Sequence, residues 1–145
     1  MCNACPTVVN ETQPPEFAER LLGILNDAGL AMMLSIGHRT GLLDALAKCG
    51  GATSHCIAEE AGLHQRYVRE CLGALVTGKI VDYEPATRSY SLPEQHAALL
   101  TSQAGIANFG STMQWISVLG EVESKIVDCF REGGGVPYED YSRFH

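Results

Sequence analysis

The middle of the chain passes from helical to strand-like patterning in an order that few folds share. Three runs with apolar residues at steps of three and four cover residues 42–47, 57–61 and 67–76. Two short β-prone runs, 80–83 and 89–92, follow directly, and a turn containing Pro85 separates them. Helix, helix, turn, helix and hairpin is the order of a winged helix-turn-helix, so the pattern predicts that fold.

The residues around the predicted turn support this interpretation. Gly62 supplies the left-handed backbone that a tight turn between two helices requires. Ala58, four residues earlier, is small enough to let the helices approach, and Val68 lies where the next helix must face inward. Thr53 or Ser54 can cap the helix that ends at Gly62.

Long helices are predicted on both sides of this module. From Pro15, an apolar stripe at steps of three and four consists of Phe17, Leu21, Leu25, Ala28, Met32 and Ile36. A second stripe, from Ile106 to Phe130, predicts a long amphipathic helix that ends at the glycines 133–135. The predicted fold class is therefore mainly α: a winged helix-turn-helix with a short β-hairpin wing and long flanking helices at each end.

Length and charge limit the classes of function. The chain has 145 residues, enough for one domain, and its net charge of −7 counts against a nucleic-acid binder, which needs a basic face. The residues available for nucleic-acid contact are Arg66, Arg69 and Lys79, with Glu70 among them. A small winged-helix DNA-binding transcriptional regulator is therefore retained only as the alternative function.

Compartment, metal and nucleophile predictions follow from what the sequence contains. It has no uninterrupted apolar run approaching the ~20 residues of a bilayer span and no signal-like N-terminus, so we expect a cytoplasmic protein with free thiols and no membrane contact. Cys2 and Cys5 have the spacing of half a zinc knuckle but lack a second pair, so no metal site is predicted. No cysteine lies in a known nucleophile signature, and no catalytic residue is assigned.

Several segments resemble a known family. They are Gly62-Leu63, residues 66–70 (RYVRE), residues 72–75 (LGAL), residues 90–94 (YSLPE) and residues 133–141 (GGGVPYEDY). From about Phe17 to His145 the chain is similar to the N-terminal winged-helix domain of certain S-adenosylmethionine-dependent small-molecule methyltransferases, where it precedes a class I methyltransferase domain. Two positions depart from the pattern. Lys79 stands where the family tends to have a small residue, and His64 occupies a helix N-cap that Asn or Asp would fill better.

The resemblance implies a domain organisation and a cofactor. We expect a disordered tail at 1–14, a winged-helix and dimerisation domain at 15–101, a long connecting helix at 102–132, and a linker at 133–145 toward a missing methyltransferase domain. It implies S-adenosylmethionine and a small-molecule methyl acceptor for the full-length protein. The glycines 133–135 follow Arg131-Glu132 rather than a strand, so we predict that this chain alone binds no cofactor and is not catalytic.

Two surfaces are candidates for function. The apolar excess of residues 17–36 is more than one small domain needs to bury, and it predicts a homodimer through the first long helix. The resemblance implies that the last helix helps to line the substrate pocket, through Phe109, Met113, Gln114 and Trp115. The same side chains at helical spacing also fit ordinary packing against the winged helix, and both interpretations stay open here.

Overall fold

A computed structural model describes residues 15–143, so the predicted tail at 1–14 lies outside it. In the described part, seven α-helices and three short strands follow one another along the chain. They are α1 (Pro15–Arg39), α2 (Leu42–Cys49), β1 (Ala52–Thr53), α3 (Ser54–Ala61), α4 (Gln65–Thr77), β2 (Asp82–Glu84), β3 (Ser89–Ser91), α5 (Glu94–Leu100), α6 (Phe109–Thr112) and α7 (Gln114–Glu132). Two 3-10 helices lie at Ser102–Ala107 and Tyr138–Asp140. The predicted winged helix-turn-helix with long helices at each end is confirmed.

Short-range hydrogen bonds form the turn between α3 and α4. Gly62 has φ 65°, and its N–H and that of Leu63 donate to the last turn of α3. At the other end of α3, the Thr53 hydroxyl accepts from the Cys56 N–H at 3.4 Å. His64 caps α4, because its Nδ1 accepts from the Arg66 N–H at 3.3 Å. Imidazole therefore takes the capping role that Asn or Asp usually fills.

The wing is a three-stranded antiparallel sheet with the order β1-β3-β2. Tyr90 of β3 pairs with Tyr83 of β2 on one side and with Ala52 of β1 on the other. The hairpin was predicted, but β1 was not, since two residues carry no readable alternation. The Tyr83 and Tyr90 rings lie 4.7 Å apart between centroids, a cross-strand aromatic contact that stabilises the hairpin.

The core lies between α1, α2, α3 and α4 and is closed by α5. Val68 is 2% exposed, as predicted for a residue that faces inward. The buried cluster consists of Leu34, Leu42, Leu43, Leu46, Ile57, Ala58, Val68, Cys71, Leu72, Leu75, Val81 and Leu100. Its members come from sequence positions 34 to 100, so the winged module and the second half of α1 share one core.

The single long helix predicted over 102–132 is wrong in its first part. Residues 102–107 form a 3-10 helix, and Gly105 within it has φ 54°, which an α-helix does not contain. Asn108 then begins a new helix: its Oδ1 accepts from the Gly110 N–H, and its Nδ2 donates to the Thr101 carbonyl, both at 2.8 Å. Asn108 is 5% exposed, so these bonds are formed away from water and hold the break in place.

The two halves of α1 have different environments. Leu34, Ser35 and Gly37 in its second half are buried, and this half packs with α2, α4, α6 and α7. Residues 16–29 are exposed apart from the half-buried Gly23. By length and composition Glu16–Arg39 could also cross a membrane, which the lack of a long uninterrupted apolar run did not anticipate. Core helices of soluble proteins can be equally long and apolar. The surroundings of each half of α1 therefore have to be considered separately.

Candidate functional site

Two of the four predicted pocket residues line one apolar cavity. Phe109 on α6 is 52% exposed, and Met113, between α6 and α7, is half-buried and packs against the core. The cavity has a volume of about 240 Å³ and is lined by Leu34, Ile80, His96, Leu99, Leu100, Phe109 and Met113. Met113 therefore packs against the winged helix and also lines the cavity, and its role in a substrate pocket stays a prediction.

The other two predicted pocket residues are not among the residues that line this cavity. Gln114 is half-buried and Trp115 is 44% exposed, and both lie in the first turn of α7. Phe109 belongs to α6, which ends at Thr112, whereas Gln114 and Trp115 begin α7 on the other side of Met113. The structure thus brings Phe109 and Met113 together in one cavity. The pocket-lining role of Gln114 and Trp115 stays a prediction.

His96 and Leu99 of α5 complete the cavity, and sequence reasoning did not assign either of them to it. His96 is half-buried, and its Nδ1 lies 2.8 Å from the Ile80 carbonyl oxygen. A carbonyl can only accept, so Nδ1 carries the proton in this contact. The sequence signal was weak: His96 is one histidine near a helix end, and its pairing with Ile80 depends on how α5 packs beside the start of the wing.

The first half of α1 presents an uncovered apolar stripe. Phe17, Leu21 and Leu25 lie at four-residue steps and are 53%, 48% and 68% exposed. Farther along the same stripe, the Met32 sulfur lies 3.6 Å from the Ser117 hydroxyl of α7. α7 therefore contacts the stripe in the second half of α1 and leaves it open in the first.

The charged side chains of α4 form no strongly basic face. Arg66 and Arg69 are exposed on α4, and the Arg69 guanidinium lies 3.2 Å from the Glu70 carboxylate. Lys79 follows the end of α4 with φ 57°, a left-handed conformation. The prediction that these three residues contact nucleic acid stays untested.

The segment after α7 folds back along that helix. Gly133 and Gly134 have φ of 78° and 89° and reverse the chain. Glu121 of α7 then accepts from the Ser142 hydroxyl and from the Arg143 guanidinium, and Lys125 pairs with Asp140 at 2.6 Å. These bonds lower the pKa of the Glu121 carboxyl, the Ser142 hydrogen bond contributing most and the Arg143 guanidinium adding to it.

The glycine-rich loop that binds S-adenosylmethionine in class I methyltransferases lies between different elements from the glycine run of this chain. In a class I methyltransferase the glycine-rich loop follows a strand and opens a helix. Here α7 precedes the glycines 133–135, and the short 3-10 helix Tyr138–Asp140 follows them. The glycine run of this chain therefore does not fit that cofactor.

The described part of the chain contains no cluster of metal ligands, and its buried cysteine is shielded from reaction. Within residues 15–143, no three His, Cys, Asp or Glu side chains come together in a way that could hold a metal ion. Cys2 and Cys5 lie outside the described residues. Cys71 is buried, and burial raises the pKa of its thiol to about 11, which makes it a poor nucleophile.

These features define a winged helix-turn-helix domain with an added helical layer. A family model described as the Rv2258c-like winged HTH domain matches residues 28–102, and the chain belongs to that family. The match covers the second half of α1, the helix-turn-helix, the wing and α5. A comparison with curated protein sequences gives no match.

Several solved structures that share this fold are methyltransferases. The mitomycin 7-O-methyltransferase MmcR superposes with a TM-score of 0.67 at 21% identity, over 83% of this chain and 35% of that one. Human N-acetylserotonin methyltransferase in complex with SAM gives a TM-score of 0.62 at 19% identity, over 94% and 39%. The N,N-8-amino-8-demethyl-D-riboflavin dimethyltransferase RosA from Streptomyces davawensis gives a TM-score of 0.57 at 20% identity, over 88% of this chain and 40% of that one. The chain thus spans well under half the length of these enzymes, and at these identities the likeness is one of fold.

Proposed function

We propose that this chain is the N-terminal winged-helix region of an S-adenosylmethionine-dependent methyltransferase-like protein, and that it dimerises and caps a substrate pocket without being catalytic itself. The fold supports this proposal, because most of the chain superposes on 35% of one methyltransferase and 39% of another. The cofactor and the methyl-transfer step then belong to a domain with its own glycine-rich loop. The acceptor is a small molecule, as the apolar cavity beside α6 suggests.

The observation that carries the dimerisation role is the uncovered stripe on α1. Leu21, Leu22 and Leu25 are exposed on one side of the helix. Glu16, Glu19, Arg20 and Asp27 lie on the other side of the same segment and are exposed as well. Burying the charged side in lipid would be costly, whereas a protein partner can cover the apolar side and leave the charges in water. A second copy of the same stripe, related by twofold symmetry, provides a matching apolar surface.

The test is the oligomeric state of the chain in solution. Leu25→Glu places a charge in the stripe, and we expect it to convert a dimer into a monomer in sedimentation or light scattering. Arg20→Glu is the control, since it places a glutamate on the charged side of the same segment, and it should leave the dimer intact. A wild-type chain that is monomeric at high concentration contradicts the dimerisation role. If the wild-type chain co-sediments with liposomes and Leu25→Glu does not, the stripe binds a membrane instead of a second copy.

Met32 and Met33 are less suitable targets, although the sequence pattern places them in the same apolar helix. Met33 packs against the core cluster, and its carbonyl accepts from the Cys71 thiol at 3.7 Å. Met32 contacts Ser117 of α7. Replacing both with Glu would therefore disturb the fold together with any dimer, and loss of the dimer would not identify the interface.

The pocket-capping role depends on Phe109 and Met113. Both side chains line the cavity. Phe109 is exposed and Met113 is half-buried, so both can contact a ligand that they cover. In the full-length protein, Phe109→Ala should raise KM for the methyl acceptor several-fold, while the Kd for S-adenosylmethionine stays unchanged. Leu119→Ala, which removes an exposed apolar side chain of α7 outside the cavity, is the control.

A further inference from the structure

The apolar cavity beside α6 contains a single hydrogen-bonding side chain. Of its lining residues, six are Leu, Ile, Phe or Met, and the seventh is His96. A dry cavity of about 150 Å³ lined in a similar way accommodates one benzene ring. A volume of about 240 Å³ therefore suits two fused rings, and a site of this kind selects its ligand by one polar contact.

The geometry of His96 leaves one ring nitrogen free for that contact. Its Nδ1 proton is committed to the Ile80 carbonyl at 2.8 Å. In the neutral imidazole, Nε2 is then an acceptor, and within residues 15–143 it has no hydrogen-bond partner. Nε2 is also absent from the buried polar atoms that lack a partner, so it is not sealed off from the surroundings. Nε2 is therefore at least partly exposed, and His96 lines the cavity.

The Ile80 carbonyl also fixes the direction of the ring. Ile80 itself lines the cavity, and its N–H donates to the Leu75 carbonyl at 2.9 Å, which ties it to the end of α4. The acceptor on His96 is thereby held by the core rather than by a mobile surface chain. A fixed acceptor discriminates between ligands better than a flexible one, because it cannot turn away to compensate for a missing donor.

We propose that His96 is the polar anchor of a small-molecule site in this cavity, and that the ligand is a planar, apolar, two-ring compound with one hydroxyl or N–H donor for Nε2. This inference rests on the proposed function, because it treats the cavity that Phe109 and Met113 cap as a ligand site. Beyond the capping role, this inference names His96 as the residue that selects the ligand and a hydroxyl or N–H donor as the group that it selects. His96 acts here as a specificity residue and takes no part in bond making.

The experiment compares two probes of the same shape, naphthalene and 2-naphthol, titrated into the 145-residue chain. Binding is followed by the methyl resonances of Leu99, Leu100 and Met113. His96→Asn is the decisive variant, because the Asn amide can still donate to the Ile80 carbonyl but has no atom at the position of Nε2. The readout is the ratio of the two Kd values. We expect it to shift by about fivefold toward naphthalene in the variant, the effect of one neutral hydrogen bond.

A cavity-filling variant shows where the probes bind. Leu99→Trp places a large ring in the space between α5 and α6 and should abolish binding of both compounds. If it leaves binding unchanged, the compounds lie elsewhere and the inference is overturned. Should His96→Asn fail to fold, the wild-type ratio still decides, because a preference for naphthalene contradicts an anchoring acceptor.

The outcomes also separate this inference from the proposed function. If both probes bind and the ratio does not change in His96→Asn, the role of His96 is wrong and the capping role survives. If neither probe binds up to its solubility limit, the anchoring role of His96 is wrong, whereas the capping role is decided separately by the KM of Phe109→Ala in the full-length protein. The dimerisation role is measured independently through Leu25→Glu and is unaffected by either result.

Discussion

Gly78 lies directly against Leu30, where the end of α4 meets α1. A Cβ at position 78 would stand 2.6 Å from Leu30 Cδ2 and 2.8 Å from Cδ1, closer than carbon atoms approach in folded proteins. The backbone of Gly78, with φ −77°, is one that any residue adopts. Space, rather than conformation, therefore requires glycine at this contact between the winged helix and the long first helix.

We expect Gly78→Ala to lower the free energy of unfolding by about 1 kcal/mol, the low end of the cost of overpacking, because the added methyl displaces only the flexible end of the half-buried Leu30 side chain. Gly73→Ala is the control on the same helix, where a Cβ meets nothing within 4 Å, and it should stabilise the protein by about 1 kcal/mol. Denaturant unfolding measures both. If Gly78→Ala costs the same in a Leu30→Ala background, the contact with Leu30 is not the cause.

Replacing Lys79, the next residue, with glycine should stabilise the folded protein. Its φ of 57° costs an ordinary side chain about 1 kcal/mol, which glycine avoids, although glycine adds some entropy to the unfolded chain. We expect Lys79→Gly to raise the free energy of unfolding by a few tenths of a kcal/mol up to about 1 kcal/mol. Lys79→Ala keeps the left-handed cost and should change little. Equal effects from the two variants would mean that the lysine side chain matters rather than the backbone.

Asp44 links α2 to the segment that leads to the cavity. One of its oxygens, Oδ1, accepts from the Ser102 N–H at 2.8 Å and from the Ser102 hydroxyl at 2.7 Å. We expect Asp44→Ala to cost about 1 kcal/mol of unfolding free energy, as for loss of a helix cap. Asp44→Asn retains an oxygen acceptor and should cost less. Equal losses in the two variants would show that the negative charge, and not the hydrogen bonding, is responsible.

Acid should release the segment that folds back on α7. The pKa of Glu121 is lowered in the folded chain, so its hydrogen bonds to Ser142 and Arg143 contribute stability at neutral pH, and this is lost as pH falls through the folded pKa, below the ordinary value of 4.5. NMR signals of residues 138–143 should then shift toward those of an unfolded peptide. Glu121→Gln should show the released signals already at pH 7, while Glu123→Gln, an exposed position on the same helix, should not.

The cysteines of the winged module should react at very different rates. Cys56 is exposed, whereas Cys71 is buried with its pKa raised to about 11. With iodoacetamide at pH 8, mass spectrometry should find Cys56 alkylated early and Cys71 only after denaturant is added. Rapid native labelling of Cys71 would mean that the packing between α1 and α4 opens far more often than a stable core allows.

Much of the helix-turn-helix could be predicted because its signals are local. Gly62 closes α3, Thr53 caps it, and Val68 falls on the inner face of α4, all through bonds or spacing within about four residues. Such local features can be predicted without knowledge of tertiary contacts, since the backbone conformation at one glycine or one cap is nearly independent of the rest of the chain. The same reasoning identified the uncovered stripe on α1.

Tertiary structure decided the features that join distant residues. Strand β1 exists only because Ala52 and Thr53 meet β3, and the helical periodicity of residues 106–130 is interrupted because Asn108 reaches the carbonyl of Thr101 inside the folded domain. The cavity brings Leu34, Ile80, His96 and Phe109 together from four separate segments. Periodicity predicts which face of a helix is apolar, but the packing of one helix against another determines which side chains meet, and with them the hydrogen bond that orients His96.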